Sequence, residues 1–489
     1  MAGFTNLYRL QRVLTGKAHL LDISLHRKYG SVVRLGPNLV SIGDPLAIPT
    51  IYGITASLPK SSFYPVNFTY SNGKLIPGIF ATTSDVLHRQ MKRPIASFYS
   101  MTNILAYEPL VDDTIRVFVD QLQERYALTG TPCDLSDWLQ YYAFDVIGAV
   151  TFSTRIGFLE RGRDIDNAME GIWRRFRYFA LIGQIPWLDW FWDKNPILNK
   201  IFPAKSSPIA KFAMQLTGKR LEQLRHNSFP INSNSDPVTP KRDLLSSFLD
   251  AKAKAGEKVP DWYLTSWTIS NLLAGSDTTA IYLRSVFYYL LRNPTSLCRV
   301  LDELKLAEDE KRLSAIISYK ESKSLTYLDA CIKEAGRLHP SIGLPLERVV
   351  PRGGLQINGY YLPEGTIVGV NAWASQHDMT LFGRDADEWR PERWLVNAAR
   401  SSELDRAMML FGTGHRSCLG KHIALVEIYK VVPQILRNFE IKWADPSRDW
   451  KTENFWAVRQ TNMEVVFCQK PAALEQETQA ARKAKECVS

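Results

Sequence analysis

The spacing of apolar and polar residues divides the chain into a long helical middle with short strands on either side. From about residue 86 to 320, apolar residues recur at intervals of three and four, which predicts helices. Short β-branched runs between Gly, Pro and Asn predict a hairpin at 29–43 and further strands at 349–370 and 463–468. Residues 58–85 combine aromatics with Pro, Asn, Gly and Ser and predict a loop. The expected class is mainly α with a smaller β portion.

The chain shows no strong domain boundary. Residues 227–242 predict a flexible loop that is too short for an interdomain linker. We predict an N-terminal segment at 1–24 without a membrane anchor, one domain at 25–470, and a polar, frayed tail at 471–489. No apolar run reaches the roughly 18 residues that a spanning helix needs, and no signal peptide is visible. Either this form is naturally soluble or an anchor was removed.

Composition narrows the class of protein. The 489 residues are 45% hydrophobic and 22% charged, which is ordinary for a globular protein with a large core. The net charge of +10 suits a nucleic acid, an anionic membrane surface or an acidic partner, or is only a solvated basic surface. No basic run is interleaved with aromatics, so we expect no nucleic-acid partner. The six cysteines are scattered without a CxxC pair, which argues against a disulfide framework and zinc.

One cysteine lies in an unusual setting, Phe411-Gly-Thr-Gly-His-Arg-Ser-Cys-Leu-Gly420. A lone thiolate can hold a heme iron and favour O–O bond cleavage. A helix beginning near Leu419 would point its amides at the sulfur of Cys418 and favour the thiolate. The guanidinium of Arg416 suits a carboxylate such as a heme propionate. Taken alone, however, such a cysteine is more often a small buried apolar residue.

A second pattern lies in a long apolar run between Pro260 and Pro294, which predicts a helix with Asp261 as its cap. Its centre reads Ala274-Gly-Ser-Asp-Thr-Thr279, and glycine and hydroxyl residues are poor choices inside a helix. An acid followed by an alcohol in apolar surroundings can relay protons, which would be the catalytic role of Asp277 and Thr278. The alternative is a kinked helix with a satisfied buried aspartate.

A third pattern combines Glu334-Ala-Gly-Arg337 with the later Pro391-Glu-Arg-Trp394. The first places a carboxylate and a guanidinium on one helix face, and the second adds Arg393. Alone, such a pair is usually a surface ion pair that contributes little stability.

In this order, the motifs resemble those of the cytochrome P-450 family, of the fungal microsomal type, across about residues 25–470. The stretches at 63–66 and 72–77 resemble its pisatin demethylase-like branch. The resemblance implies the single-domain cytochrome P-450 fold and heme b (iron protoporphyrin IX) with Cys418 as axial thiolate and metal ligand. It also implies a structural network of Glu334, Arg337 and Arg393. The implied cofactor-binding residues are Cys418, Arg416, Arg348, His88, Lys92, Phe411, Gly414 and Gly420, with Arg93 a rival of Lys92.

The implied activity is monooxygenation. One oxygen atom from O2 enters an apolar small molecule, expected to be a secondary metabolite, by hydroxylation or O-demethylation. Electrons come from NADPH through NADPH–cytochrome P-450 reductase, and residues 88–93 would form part of its docking face. The alternatives are an oxidative cyclase or phenol-coupling enzyme, a peroxide-using or rearranging heme-thiolate enzyme, and a non-catalytic heme sensor or carrier.

By the same resemblance, the protein belongs at the cytosolic face of the endoplasmic reticulum, with peripheral membrane contact. Three tryptophans, Trp187, Trp190 and Trp192, allow three interpretations: a pocket wall, core packing or a surface that dips into a membrane. The other expected pocket walls are residues 60–82, 272–274, 342–346 and 456–458.

Overall fold

The computed structural model describes residues 2–54, 58–71, 74–201, 208–225 and 243–470. The predicted flexible loop at 227–242 and the predicted tail at 471–489 lie outside these ranges.

Helices dominate the described part of the chain. The longer ones are Leu7–Leu14, Ala18–Tyr29, Asp85–Lys92, Glu108–Leu122, Leu135–Phe152, Ala168–Ile182, Pro208–Arg225, Leu244–Ala255, Asp261–Arg292, Pro294–Asp309, Thr326–Leu338, Ala398–Ala407 and Lys421–Asn438. Shorter ones are Ile48–Tyr52, Met101–Leu105, Phe158–Arg161, Pro196–Ile201, Tyr319–Lys323, Ala372–Ser375 and Met379–Phe382. The predicted helical middle is confirmed. None of the described helices is long and apolar enough to cross a bilayer.

The centre of the molecule is the contact between two long helices, Leu135–Phe152 and Asp261–Arg292. Nearly every residue of the first is buried, as expected for a helix that is apolar all round. At Gly275, an added Cβ would lie 2.9 Å from the Ile147 side chain, so glycine lets the two helices approach closely. The second helix is continuous from Asp261 to Arg292, through its Gly and hydroxyl residues.

The start of that helix corrects one prediction. Pro260 is the N-cap, with extended backbone angles and no side-chain cap, and Asp261 is the first helical residue. The Asp261 carboxylate forms an ion pair with Lys252 instead. An acidic residue in the first turn still complements the positive end of the helix dipole.

The β portion consists of small sheets. The largest has the order Val32–Gly36, Leu39–Ile42, Ile367–Val370, Arg348–Val349, and its first pair is the predicted antiparallel hairpin. A second sheet joins Phe439–Trp443, Glu464–Gln469 and Cys133–Asp134. Two-stranded pairs are Lys451–Phe455 with Ala457–Thr461, Thr69–Ser71 with Lys74–Ile76, and Leu355–Ile357 with Tyr360–Leu362. The strands predicted at 349–370 and 463–468 are confirmed.

The region predicted as a loop, 58–85, holds more structure than expected. It contains a 3-10 turn, Tyr64–Asn67, and the hairpin that pairs Thr69 with Ile76 and Tyr70 with Leu75. These are residue types that favour strands, and the nearby Pro, Gly and Asn obscured them.

One apolar core runs through most of the chain, from Met91 in the helix Asp85–Lys92 to Phe467 in the last strand. The short strand Cys133–Asp134 pairs with Glu464 and Val465 and joins the helical middle to the C-terminal sheet. The predicted class, mainly α with a smaller β portion in one domain, is confirmed.

Candidate functional site

The Cys418 loop is fixed by its backbone. The amide of Cys418 donates to the carbonyl of Phe411 at 2.8 Å and closes the loop just before the helix Lys421–Asn438. Gly414 has a φ of +69°, and a Cβ there would lie 1.9 Å from the carbonyl oxygen of Tyr52. Only glycine can occupy this position, because any side chain would push the loop away from Tyr52.

Two effects shift the pKa of the Cys418 thiol in opposite directions. The helix begins at Lys421 with Gly420 as N-cap, two residues later than predicted. Backbone amides of Gly420 and Lys421 hydrogen-bond the sulfur and lower the pKa of the thiol, as predicted, but burial has the larger effect and raises that pKa. The thiol is therefore not ionised by its surroundings alone. Cys418 is nonetheless accessible, so its thiol is open to a ligand or a metal ion.

Two of the predicted propionate partners lie against the Cys418 loop. Arg416 is buried and pairs with Asp85, with Nη2 2.6 Å from Oδ1, and also donates to the carbonyl of Thr82 at 3.0 Å. Lys92 donates from Nζ to the carbonyl of His415 at 2.8 Å. Arg416 is therefore part of the loop, and Lys92 contacts it directly.

The other two are buried nearby. Arg348 donates to the carbonyl of Glu347 at 2.8 Å, and its guanidinium lies 4.9 Å from the centre of the Tyr52 ring. Burial, with Arg416 and Lys92 close by, lowers the pKa of His88 to about 3. His88 is therefore neutral at pH 7, and a neutral imidazole offers one donor and one acceptor for hydrogen bonds.

This cluster carries more positive than negative charge. Asp85 pairs with Arg416, whereas Lys60, Lys92 and Arg348 form no ion pair with any carboxylate that the structure describes. Burial and the neighbouring guanidiniums lower the pKa of Lys60 and Lys92. Buried cations are costly without a counter-charge. The residues therefore fit a group with two carboxylates, as the two propionates of heme are.

Asp277 and Thr278 point in different directions, because successive residues on a helix differ by about 100°. Asp277 is buried, and its Oδ1 accepts a hydrogen bond from Gln140 at 2.7 Å. Burial raises its pKa to about 6, although Arg284 and Arg459 oppose the shift. Thr278 Oγ1 donates to the carbonyl of Ala274 at 2.8 Å. The two side chains are thus not in direct contact.

The predicted ion-pair network is present and completely buried. Glu334 accepts from Arg337 at 2.7 and 2.8 Å and from Arg393 at 2.9 Å. The Trp394 indole and the Arg390 amide donate to the same carboxylate. This is the buried form of the pattern, not the surface pair that the motif alone would suggest.

One glutamine connects this network to the Cys418 loop. The Arg337 guanidinium donates to the carbonyl of Gln376 at 2.8 Å. The Gln376 side chain in turn donates to the carbonyls of Gly336 and Arg337 and accepts from the Met409 amide at 2.8 Å. Met409 stands two residues before Phe411, so the chain that enters the loop is anchored to the helix Thr326–Leu338.

Aromatic rings from distant segments meet beside the cluster of cations. Phe63, Phe80, Phe179 and Trp456 contact one another with ring centres 4.4 to 6.2 Å apart. Trp456 has a φ of +74°, a strained conformation for a bulky residue, and strain of this kind is commonly found at functional sites. Phe63 and Phe80 belong to the predicted wall segment 60–82, and Trp456 belongs to the segment 456–458.

The three tryptophans do not pack in the core, which excludes one of the three interpretations. Trp187, Trp190 and Trp192 are 61%, 57% and 74% exposed. Phe191, Ile197 and Ile201 beside them are exposed as well, so the segment presents a continuous apolar surface.

Several residues of the site gave no sequence signal that we recognised. Asp85 and Lys60 lie in or next to the region predicted as a loop, and nothing in their sequence shows that they meet the cations of the Cys418 loop. Gln376 is likewise outside every motif. Gln140 did not stand out either, because its helix also buries the polar residues Ser136, Asp145 and Thr151.

Comparison with known proteins decides the family. The family model "Cytochrome P450" matches residues 3–468. The chain belongs to the cytochrome P450 family. A P450 monooxygenase of Aspergillus terreus is 47% identical over 90% of this chain and 88% of its own length. The P450 monooxygenase cicH of Emericella nidulans is 46% identical over 94% of this chain and 90% of its own. The P450 monooxygenase mpaDE of Penicillium brevicompactum is 41% identical over 98% of this chain and 55% of its own length.

Membership makes the protein an oxygen-using P450 monooxygenase. For this family it implies a heme with cysteine ligation, a redox partner and a small-molecule substrate. The cation cluster and the accessible Cys418 thiol fit that cofactor, as shown above.

The buried network yields a prediction. Glu334→Gln leaves Arg337 without its counter-charge and leaves Arg393 with only Asp385, 3.5 Å away, as a carboxylate partner. We expect it to lower the free energy of unfolding by about 3–5 kcal/mol and to abolish heme retention. The measurements are urea unfolding and the heme-to-protein absorbance ratio. Glu403→Gln is the matched control, since Glu403 forms an exposed pair with Arg400 at the same i, i+3 spacing and should change stability by less than about 1 kcal/mol. A Glu334→Gln protein with normal heme content contradicts the assignment.

Proposed function

We propose that Cys418 is the axial ligand of heme b and that the protein inserts one oxygen atom from O2 into an apolar secondary metabolite, by hydroxylation or O-demethylation. The observation that carries this proposal is the Cys418 thiol. It is accessible, hydrogen-bonded by the first amides of a helix, and set in a loop that admits only glycine at 414. Heme, when bound, supplies the activation of O2, and a thiolate ligand favours O–O bond cleavage.

The surrounding residues have distinct roles in this proposal. Arg416, Arg348 and Lys92 supply positive charge to the propionates, and neutral His88 supplies a hydrogen bond. Phe411 and Gly414 fix the shape of the loop, with the Phe411 carbonyl accepting the hydrogen bond of the Cys418 amide, and Gly420 is the N-cap of the helix that follows. The network of Glu334, Arg337 and Arg393 holds the loop in register through Gln376.

Proton delivery is assigned to Asp277 and Thr278, two residues of the long helix Asp261–Arg292. A carboxyl with a pKa of about 6 exchanges its proton readily near neutral pH, so Asp277 can act as both acceptor and donor. Thr278 uses its hydroxyl hydrogen toward Ala274 and keeps its oxygen lone pairs free to accept from water. Since the two side chains are not in contact, we infer that water connects them.

This proposal predicts the behaviour of two Thr278 variants. Thr278→Ala should retain heme but form at least about tenfold less product per NADPH, with the electrons lost as hydrogen peroxide. Thr278→Ser keeps the hydroxyl and should stay close to the wild type. The assay measures NADPH, O2, peroxide and product with reductase, using a metabolite chosen because it shifts the heme from low to high spin. Unchanged coupling in Thr278→Ala, or equal turnover with peroxide alone in the wild type, contradicts the proposal.

Electron delivery is assigned to a basic groove. A groove of about 470 Å³ is lined by Asp85, His88, Arg89, Lys92, Arg93 and His415. Its floor includes the chain of contacts from Lys92 to the Cys418 loop. An acidic surface of NADPH–cytochrome P450 reductase fits this charge, which supports the proposed docking face.

The exposed apolar segment at 187–201 supports peripheral contact with a membrane, at the cytosolic face of the endoplasmic reticulum. Tryptophan rings favour the interface between lipid and water. The triple variant of Trp187, Trp190 and Trp192 to Ser should therefore lose most of its binding to lipid vesicles in a sedimentation assay. The control is Tyr360→Ser with Tyr361→Ser, because these exposed rings lie on a separate hairpin. Equal binding of both variants would exclude the tryptophan surface.

A further inference from the structure

Lys60 is a buried lysine that the proposed roles leave unused. Its backbone forms an antiparallel bridge with Arg348, and the Val349 amide donates to the carbonyl of Pro59 at 2.8 Å. Directly opposite residues of such a pair place their side chains on the same face. Lys60 is 8% exposed, so its ammonium group lies inside the protein beside the Arg348 guanidinium.

The contacts of the ammonium group satisfy it only in part. Its Nζ donates to the carbonyl of Phe80 and lies 4.1 Å from the ring centre of Tyr64 and 4.4 Å from that of Phe80. An ammonium carries three N–H donors, and ring faces attract a cation without neutralising it. In the described part of the chain, no carboxylate forms an ion pair with Lys60.

The charges around Lys60 further destabilise its ammonium form. Arg348 and Arg416 both disfavour its charged form, and only Asp85 favours it. Asp85, however, is already paired with Arg416. A buried cation among cations requires an anion, because burial without a counter-charge is costly.

We propose that Lys60 binds a carboxylate, contributed either by a heme propionate or by the substrate. The inference rests on the proposed heme site and adds to it a residue that no motif of the chain indicates. Carboxylate is the chemistry that Arg348 and Arg416 also recognise, and it would supply the counter-charge that Lys60 lacks.

Both sources of the carboxylate follow from where Lys60 stands. On one side are Arg348 and Arg416, which we assign to the propionates. On the other side is Phe80, whose ring contacts Phe179 and Trp456 of the aromatic cluster at 6.2 and 5.7 Å. A carboxylate of an otherwise apolar substrate that packs on these rings would reach the same ammonium group.

The test compares the purified holoenzyme with variants of Lys60. Lys60→Gln keeps a donor for the Phe80 carbonyl and removes the charge, Lys60→Met serves if that variant fails to fold, and Lys60→Arg restores the charge. Lys28→Met is the control, since Lys28 is an exposed lysine that also lies over a ring. One measurement is the rate of heme transfer to excess apomyoglobin. The other is the binding of benzoic and dodecanoic acids and their methyl esters, read from the heme spectrum.

A propionate partner predicts heme loss at least about tenfold faster in Lys60→Gln, reversed in Lys60→Arg, with the same preference of acid over ester as the wild type. A substrate partner predicts unchanged heme loss and an acid-over-ester preference that falls about tenfold. If heme loss is unchanged and no acid binds more weakly to Lys60→Gln, the proposal is overturned. Failure of the heme site itself would appear differently, as a wild type that holds no heme.

Discussion

The structure depends on the fixed position of one backbone segment, the loop from Phe411 to Cys418. A sulfur that binds iron must stay at one place and one angle, and a flexible loop would not keep it there. Two contacts provide that rigidity. The loop closes on itself through the amide of Cys418 and approaches Tyr52 so closely at Gly414 that no side chain fits. The segment that enters the loop is tied at Met409 through Gln376 to the buried carboxylate network.

The buried Glu334 carboxylate is stabilised in the core by this network. The Glu334 carboxylate accepts five hydrogen bonds, and two guanidiniums neutralise it. The remaining donors of Arg337 and Arg393 bind carbonyls of the neighbouring backbone, among them those of Ala386 and Phe382. Buried ion pairs contribute little net stability but strongly disfavour any arrangement that breaks them. The network therefore selects one path for the chain that leads into the Cys418 loop.

The second constraint is the imbalance of charge around the loop. Cations that face each other inside a protein destabilise it until an anion arrives, so binding of a dianionic cofactor should stabilise the folded protein as well as equip it. The same argument applies to the Cys418 thiol, because burial disfavours its ionised form and a metal ion reverses that preference. The cofactor and the fold thus depend on each other.

The sequence allowed a good prediction of the parts that are local. The Cys418 loop, the long central helix and the Glu334–Arg337 pair depend on residues close together in the chain, whereas Arg393 reaches Glu334 from 59 residues away. Less could be predicted where distant segments meet. Lys60 meets Arg348 through an isolated β-bridge between segments that are far apart in the chain. Asp277 and Thr278 are neighbours in sequence, but helix geometry turns them apart, and only the partner Gln140 on another helix reveals the direction of the acid. Whether the three tryptophans are buried or exposed also depended on how their segment lies against the rest of the protein, and they are exposed.

The most direct test of the account is the spectrum of the reduced protein with carbon monoxide. The wild type, loaded with heme, should show the strongly red-shifted band of a thiolate ligand, and Cys418→Ser should lose that band. Cys298→Ser, which changes an exposed cysteine away from the loop, should keep it. A heme-loaded wild type without the band, or a Cys418→Ser protein that retains it, would contradict the central claim that the Cys418 sulfur holds the iron.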